Sequence, residues 1–135
     1  MIKSCQMEDI DILPKDMMSR SLSEDEVVLN YEDALKALDI FSNAHFAFLG
    51  WEGWGKYHDG GIGHCDYQGT VSIEKAANES WQAYAKRGYN FVKETIINDY
   101  DDWKKSDHVK EYELYFCISA ISEKGLEELR AKYHK

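Results

Sequence analysis

With 135 residues, 44% hydrophobic and 13% aromatic side chains and a single proline, the chain is sized for one domain with a buried core, which excludes a linker-rich or disordered protein. Asp and Glu outnumber Lys and Arg by 25 to 16, a formal charge of −9 that disfavours nucleic acid and anionic membrane and favours basic partners. Three cysteines, Cys5, Cys65 and Cys117, form no C-x-x-C pair, and the chain has neither a leader-like N-terminus nor a run apolar enough to span a bilayer, so reduced thiols and a cytoplasmic address are expected.

Residues 1 to 22 alternate acids with isolated apolar residues, as in MEDIDIL, and then reach Pro14, a pattern that predicts an edge strand or a docked arm. From 30 to 43 the spacing of Tyr31, Ala34, Leu35, Leu38 and Phe41 predicts a helix. Asn30 is placed to cap it, and Glu32 and Asp33 lie beside its positive end. An earlier start at Ser23, with Glu26 completing a capping box, is the alternative and takes Val27 and Val28 into the same helix.

AHFAFLGWEGWGKY reads as a central strand, with Phe46 and Phe48 on one side and Ala47, Leu49 and Trp51 on the other. Asp59-Gly60-Gly61 supplies turn residues for a hairpin near residue 60, and GIGHCDYQGTVSI returns as the second strand. Between about 78 and 104, Trp81, Tyr84, Ala85, Gly88, Val92, Ile96, Tyr100 and Trp103 recur at steps of three and four, the stripe of a long amphipathic helix. Gly88 costs such a helix roughly 1 kcal/mol against alanine, which points to close approach to the sheet or an aromatic neighbour, or to a kink.

In YELYFCISA, Tyr112, Leu114, Phe116, Ile118 and Ala120 fall on one face and Glu113, Tyr115, Cys117 and Ser119 on the other. A last helix over 123–133 follows, capped by Ser122, with Leu126, Leu129 and Tyr133 as its apolar stripe. The expected fold is therefore a single α+β domain. A small, largely antiparallel sheet of three to five strands packs against helices at about 30–43, 78–104 and 123–133.

His58, Asp59, His64, Cys65 and Asp66 include zinc-type ligands within nine residues, but they straddle a turn and lack the i, i+4 spacing of a helical pair. Cys65 beside His64 names a nucleophile and a base, yet adjacent strand residues point to opposite faces. Glycine-rich phosphate loops, G-x-S-x-G and H-E-x-x-H are all missing from the sequence, so no catalytic residue, cofactor or metal ligand is assigned. An enzyme or zinc protein using His58, His64 and Cys65 is the third-ranked reading.

The aromatics of residues 51–59 could instead line a carbohydrate or other small-ligand site, since Trp51, Trp54 and Tyr57 stand near Glu52 and Asp59. Alternation tempers this reading. It sends Trp51 and Tyr57 to one face and Glu52 and Trp54 to the other unless a bulge at Gly53 re-aims the strand. Acidic runs recur, and NDYDDW sets Asp99, Asp101 and Asp102 beside Trp103, as a surface for a basic protein would.

The order ALKALDIF, AFLGWEGWGKYHDG, a tract ending in QGT, a helix rich in aromatics with ETI, and ELYFCIS resembles a family of small bacterial immunity proteins from polymorphic-toxin and contact-dependent inhibition systems, the one catalogued as immunity protein forty. The resemblance covers roughly residues 30 to 121. It implies an α+β cytoplasmic protein without a reaction of its own, which binds and neutralises a cognate toxin, often a nuclease and hence basic. The expected partner-binding residues are Glu52, Trp54, Tyr57, His58, Asp59, Asp99, Asp101, Asp102 and Trp103, with no role for nucleic acid or membrane.

Overall fold

The computed structural model describes residues 11–72 and 74–133. In chain order these form α1 (Lys15–Ser19), β1 (Val27–Leu29), α2 (Tyr31–Asn43), β2 (Ala47–Tyr57), β3 (Ile62–Thr70), α3 (Trp81–Lys105), a 3-10 turn (Asp107–Lys110), β4 (Tyr112–Ile121) and α4 (Glu123–Tyr133). The strands make one antiparallel sheet in the order β1-β4-β2-β3. This is the expected α+β architecture, with the hairpin of β2 and β3 turning near residue 60.

Local chemistry sets most of the boundaries. The Asn30 side chain accepts from the Asp33 N–H at the start of α2, and Ser80 does the same for Ala83 at the start of α3, each satisfying a main-chain donor that the first helical turn leaves free. Starting the first long helix at Ser23 is not what the chain does. Val27, Val28 and Leu29 are β-branched or leucine residues with no exposure at all, and they pair with Ile118, Cys117 and Phe116 as an edge strand.

Of the residues expected as an edge strand or a docked arm, 1–10 lie outside the described residues; after Pro14 the chain forms the short α1 and no strand, and it packs on the domain with Leu13 and Met17 buried in the main core. This segment is tied down by one ion pair. Arg20 donates to both Asp33 carboxylate oxygens, at 2.7 and 3.1 Å, and Asn30 Nδ2 donates to the same group at 3.3 Å. Asp33 is 4% exposed, and the Arg20 guanidinium holds its carboxyl below the usual range against the opposing effect of burial.

The helices α2 and α3 cover one face of the sheet. Their Ala34, Leu38, Phe41, Val92 and Ile96 meet Phe48, Trp51, Leu114, Phe116 and Ile118 in the main core. A smaller core joins α4 and the start of α3 to the sheet through Leu126, Trp81, Tyr84, Ala47 and Leu49. The alternation expected for β4 holds throughout.

The alternation expected for β2 fails at one point. Phe48 pairs with Ala120 and Gly50 with Ser119, so Leu49 is an extra residue. That bulge reverses the facing of everything after it, which puts Phe48 and Trp51 on the same face instead of opposite ones. Gly50 makes it possible: its φ is 144°, and a Cβ there would stand 2.3 Å from the Gly69 carbonyl oxygen. Gly88 serves the close approach expected of it, since a Cβ would lie 3.4 Å from the Phe48 carbonyl oxygen.

Two outcomes follow for stability. In urea unfolding, Gly50→Ala loses more than about 2 kcal/mol through strain and overlap, whereas Gly88→Ala lies within about 1 kcal/mol of wild type because ordinary contact distance is kept and helix propensity rises. Because the Asp33 pKa is lowered by folding, its contribution is complete above the unfolded-state value of about 4 and fades as pH falls through the folded value. Asp33→Asn therefore lowers the thermal midpoint at pH 7, and the gap to wild type closes as pH is taken below about 4.

Candidate partner-binding surface

The residues expected to meet a partner come from two segments, β2 with its hairpin end and the last turns of α3. Packing separates them into three environments. After the bulge, Trp51 and Tyr57 face the helices while Glu52 and Trp54 face away. The helix-side residues are absorbed by the core. Trp51 is 2% exposed, lies against Phe116 with ring centroids 5.1 Å apart, and donates its indole N–H to Thr95 Oγ1 at 2.8 Å. Tyr57 packs on Tyr112 at 5.2 Å.

Trp103 is a correction. Expected as an anchor beside the acids, it is 6% exposed and part of the main core, because the same three-and-four spacing that buries Val92 and Ile96 carries residue 103 inward. Its acidic neighbours diverge around it. Asp101 binds Lys105 at 2.8 Å on the outer surface, and this ammonium lowers its pKa. Asp102 accepts from the Tyr67 hydroxyl at 3.0 Å, and half-buried Asp99 has its carboxyl pushed up by burial and then by Asp102.

At the hairpin end, Asp59 is used by the turn. Its Oδ1 accepts from the Gly61 N–H at 2.9 Å, with Gly60 at φ 97°. His58 is exposed, and its main-chain N–H reaches the Glu111 carbonyl oxygen at 3.4 Å, tying the hairpin to the 3-10 turn. Tyr57, His58 and Asp59 thus lie at the hairpin end, held to the 3-10 turn, while Asp102 meets β3 through Tyr67. Glu52 and Trp54 stand on the opposite face of the sheet.

Among the described residues, no long helix lies over the Trp54 part of that opposite face. Trp54 lies near its middle, half-buried, with Tyr115 as its cross-strand neighbour on one side and His64 on the other. The rings of Trp54 and His64 are 4.9 Å apart, and His64 Nδ1 lies 3.6 Å from a Glu52 oxygen. Val28, Cys117 and Leu22 extend the apolar centre. The Cys117 thiol donates to Glu26 at 3.4 Å, in keeping with its expected role as a small buried hydrophobe.

Glu26, Glu52, Asp66 and Glu113 frame this patch, with Lys56 as the lysine on the same strands. The Trp54 indole N–H is covered and has no acceptor among the described residues. The sequence reading missed Tyr115, Glu113 and His64 as parts of the patch. Alternation in β3 and β4 carried that signal, but only the β4-β2-β3 strand order sets Tyr115, Trp54 and His64 in one row.

The same geometry bears on the other readings. His64 and Cys65 point to opposite faces, and Cys65 is half-buried in the sheet near Tyr112, where burial raises the pKa of the thiol. A raised pKa keeps the thiol protonated, the reverse of what a nucleophile needs. Among the described residues no group of three His, Cys, Asp or Glu side chains is placed to hold a metal ion. The bulge near Gly53 exists, but on β3, where Cys65 to Tyr67 stand opposite Gly53. It leaves Trp54 facing away from Trp51 and Tyr57, so the three rings make no common platform for a sugar.

Burial separates the two tryptophans in a measurable way. Trp103→Ala is expected to cost about 3 to 5 kcal/mol in a denaturant titration, and Trp54→Ala less than half as much. Among the described residues no helix is long and apolar enough to cross a membrane. Comparison of the chain with protein-family models, curated proteins and solved structures finds no match.

Proposed function

We propose that the protein is a stoichiometric inhibitor: an immunity protein that binds and neutralises a cognate antibacterial toxin, a basic nuclease domain being the partner class that fits best. The observation that carries this reading is the strip of the sheet face turned away from α2 and α3, which no helix covers among the described residues, with half-buried Trp54 beside Tyr115 and His64 inside a frame of Glu26, Glu52, Asp66 and Glu113. An aromatic centre with a charged rim is the anatomy of a protein-binding patch. The order of motifs, which resembles the immunity protein forty family, supports the same reading.

Charge adds direction. A formal −9 over 135 residues speeds encounter with a basic partner and repels the nucleic acid that such a partner holds. The slow dissociation that neutralisation requires comes from the desolvated centre, where an aromatic anchor is worth more than rim charges exposed to water. Neutralisation by this route needs no chemistry from the chain.

Co-expression with the toxin encoded beside it should rescue the cells, and the two chains should co-purify at one to one. Absence of both overturns the proposal. Trp54→Ala should raise the dissociation constant by about 30-fold or more, the loss expected of a hot-spot residue, with circular dichroism unchanged. An unaltered dissociation constant would move the interface away from this face.

A further inference from the structure

A notch lies where β1 ends. The last pair of that strand is Leu29 with Phe116, while β4 continues back to Tyr112. The main-chain groups on the β1 side of residues 112–115 therefore have no strand neighbour among the described residues. The chain turns instead into α2, and Tyr31 in its first turn lies flat on Tyr100 of α3, with ring centroids 3.8 Å apart and planes at 4°. Between these elements is a cavity of about 270 Å³ lined by Asn30, Tyr31, Glu32, Tyr100, Glu113 and Leu114.

The lining selects for a cation. Glu32 and Glu113 are both exposed carboxylates, and neither has a salt-bridge partner among the described residues. Three ammonium groups stand nearby: Lys104 Nζ is 5.6 Å from the centroid of the Tyr100 ring, Lys56 is the cross-strand neighbour of Glu113, and Lys36 is one helical turn from Glu32, yet none forms an ion pair with either carboxylate among the described residues. Asn30 has its side chain committed to Asp33, which leaves the two carboxylates, the tyrosine hydroxyl oxygens and the main-chain carbonyls on the open edge of β4 to accept hydrogen bonds from a ligand.

We propose that this notch receives the guanidinium of an arginine side chain presented by a basic protein partner. Arginine fits better than lysine because its planar fork of donors can meet a carboxylate in two parallel hydrogen bonds and still reach a second acceptor, and its flat group slides along stacked aromatic rings. Glu113 also stands on the rim around Trp54, so one partner can cover the patch and fill the notch together. The assignment rests on the reading of the chain as a binder of a basic protein, and it names the chemical group that the partner must carry.

The test uses the whole ¹⁵N-labelled protein and three blocked tripeptides, acetyl-Gly-Arg-Gly-amide and its lysine and citrulline counterparts. The arginine peptide should shift the amide signals of Tyr31, Glu113 and Leu114 in a saturable way and bind at least about tenfold tighter than the neutral citrulline peptide, as loss of a charge-assisted pair requires. The double variant Glu32→Gln, Glu113→Gln should lose that binding while keeping the rest of the spectrum. Equal binding of the arginine and citrulline peptides, shifts centred elsewhere, or an unaffected double variant would overturn the notch; a lysine peptide that binds as tightly would overturn the guanidinium assignment. No toxin is present in this titration, so its failure removes the notch and leaves the inhibitory reading to rescue and co-purification.

Discussion

The facing of β2 is set by a single inserted residue, and the two sides of the sheet depend on it. With Leu49 as an extra residue and Gly50 at φ 144°, Trp51 turns toward the helices. Gly69 gives it room: a Cβ there would stand 2.7 Å from the indole nitrogen. The indole then reaches Thr95 and locks α3 to the sheet. Because strand residues alternate, this inward turn of Trp51 obliges Glu52 and Trp54 to face the other way. The core and the proposed binding face are two sides of one register.

The helices bury one face, as any small antiparallel sheet requires, and the other is left to shorter covers. Leu22 and its neighbours reach over Val28 and Cys117, and α4 with the start of α3 closes over Ala47 and Leu49. What remains between those covers is the strip around Trp54. Apart from Glu26, which accepts from the Cys117 thiol, its carboxylates stay in solvent: Glu52 has only a 3.6 Å approach from exposed His64, and Asp66 and Glu113 are exposed. Asp33, by contrast, is buried, multiply hydrogen-bonded and structural. Acids of the same chemistry thus hold the chain together at one place and remain available at another.

The acidic end of α3 illustrates how sequence proximity misleads. Asp99, Asp101, Asp102 and Trp103 are consecutive or nearly so, yet a helix turns about 100° per residue. The tryptophan is carried into the core, Asp102 toward Tyr67, and Asp101 outward to Lys105. Residues distant in sequence make the better clusters. Tyr31 and Tyr100 stack, and Glu32 and Glu113 come from separate elements to line the notch beside them.

Hydrophobic periodicity and capping residues alone determined the helices α2, α3 and α4, the hairpin near residue 60, the α+β class and the faces of β4, because these signals are local and repeat within a few residues. The alternation of Trp51, Glu52, Trp54 and Tyr57 was legible for the same reason. Only the tertiary structure decided that Val27–Leu29 is an edge strand, that Leu49 is a bulge and that Trp103 is core. Strand order, register and the short reach of β1 depend on partners far along the chain, and pairing across such distances leaves no short-range pattern to read.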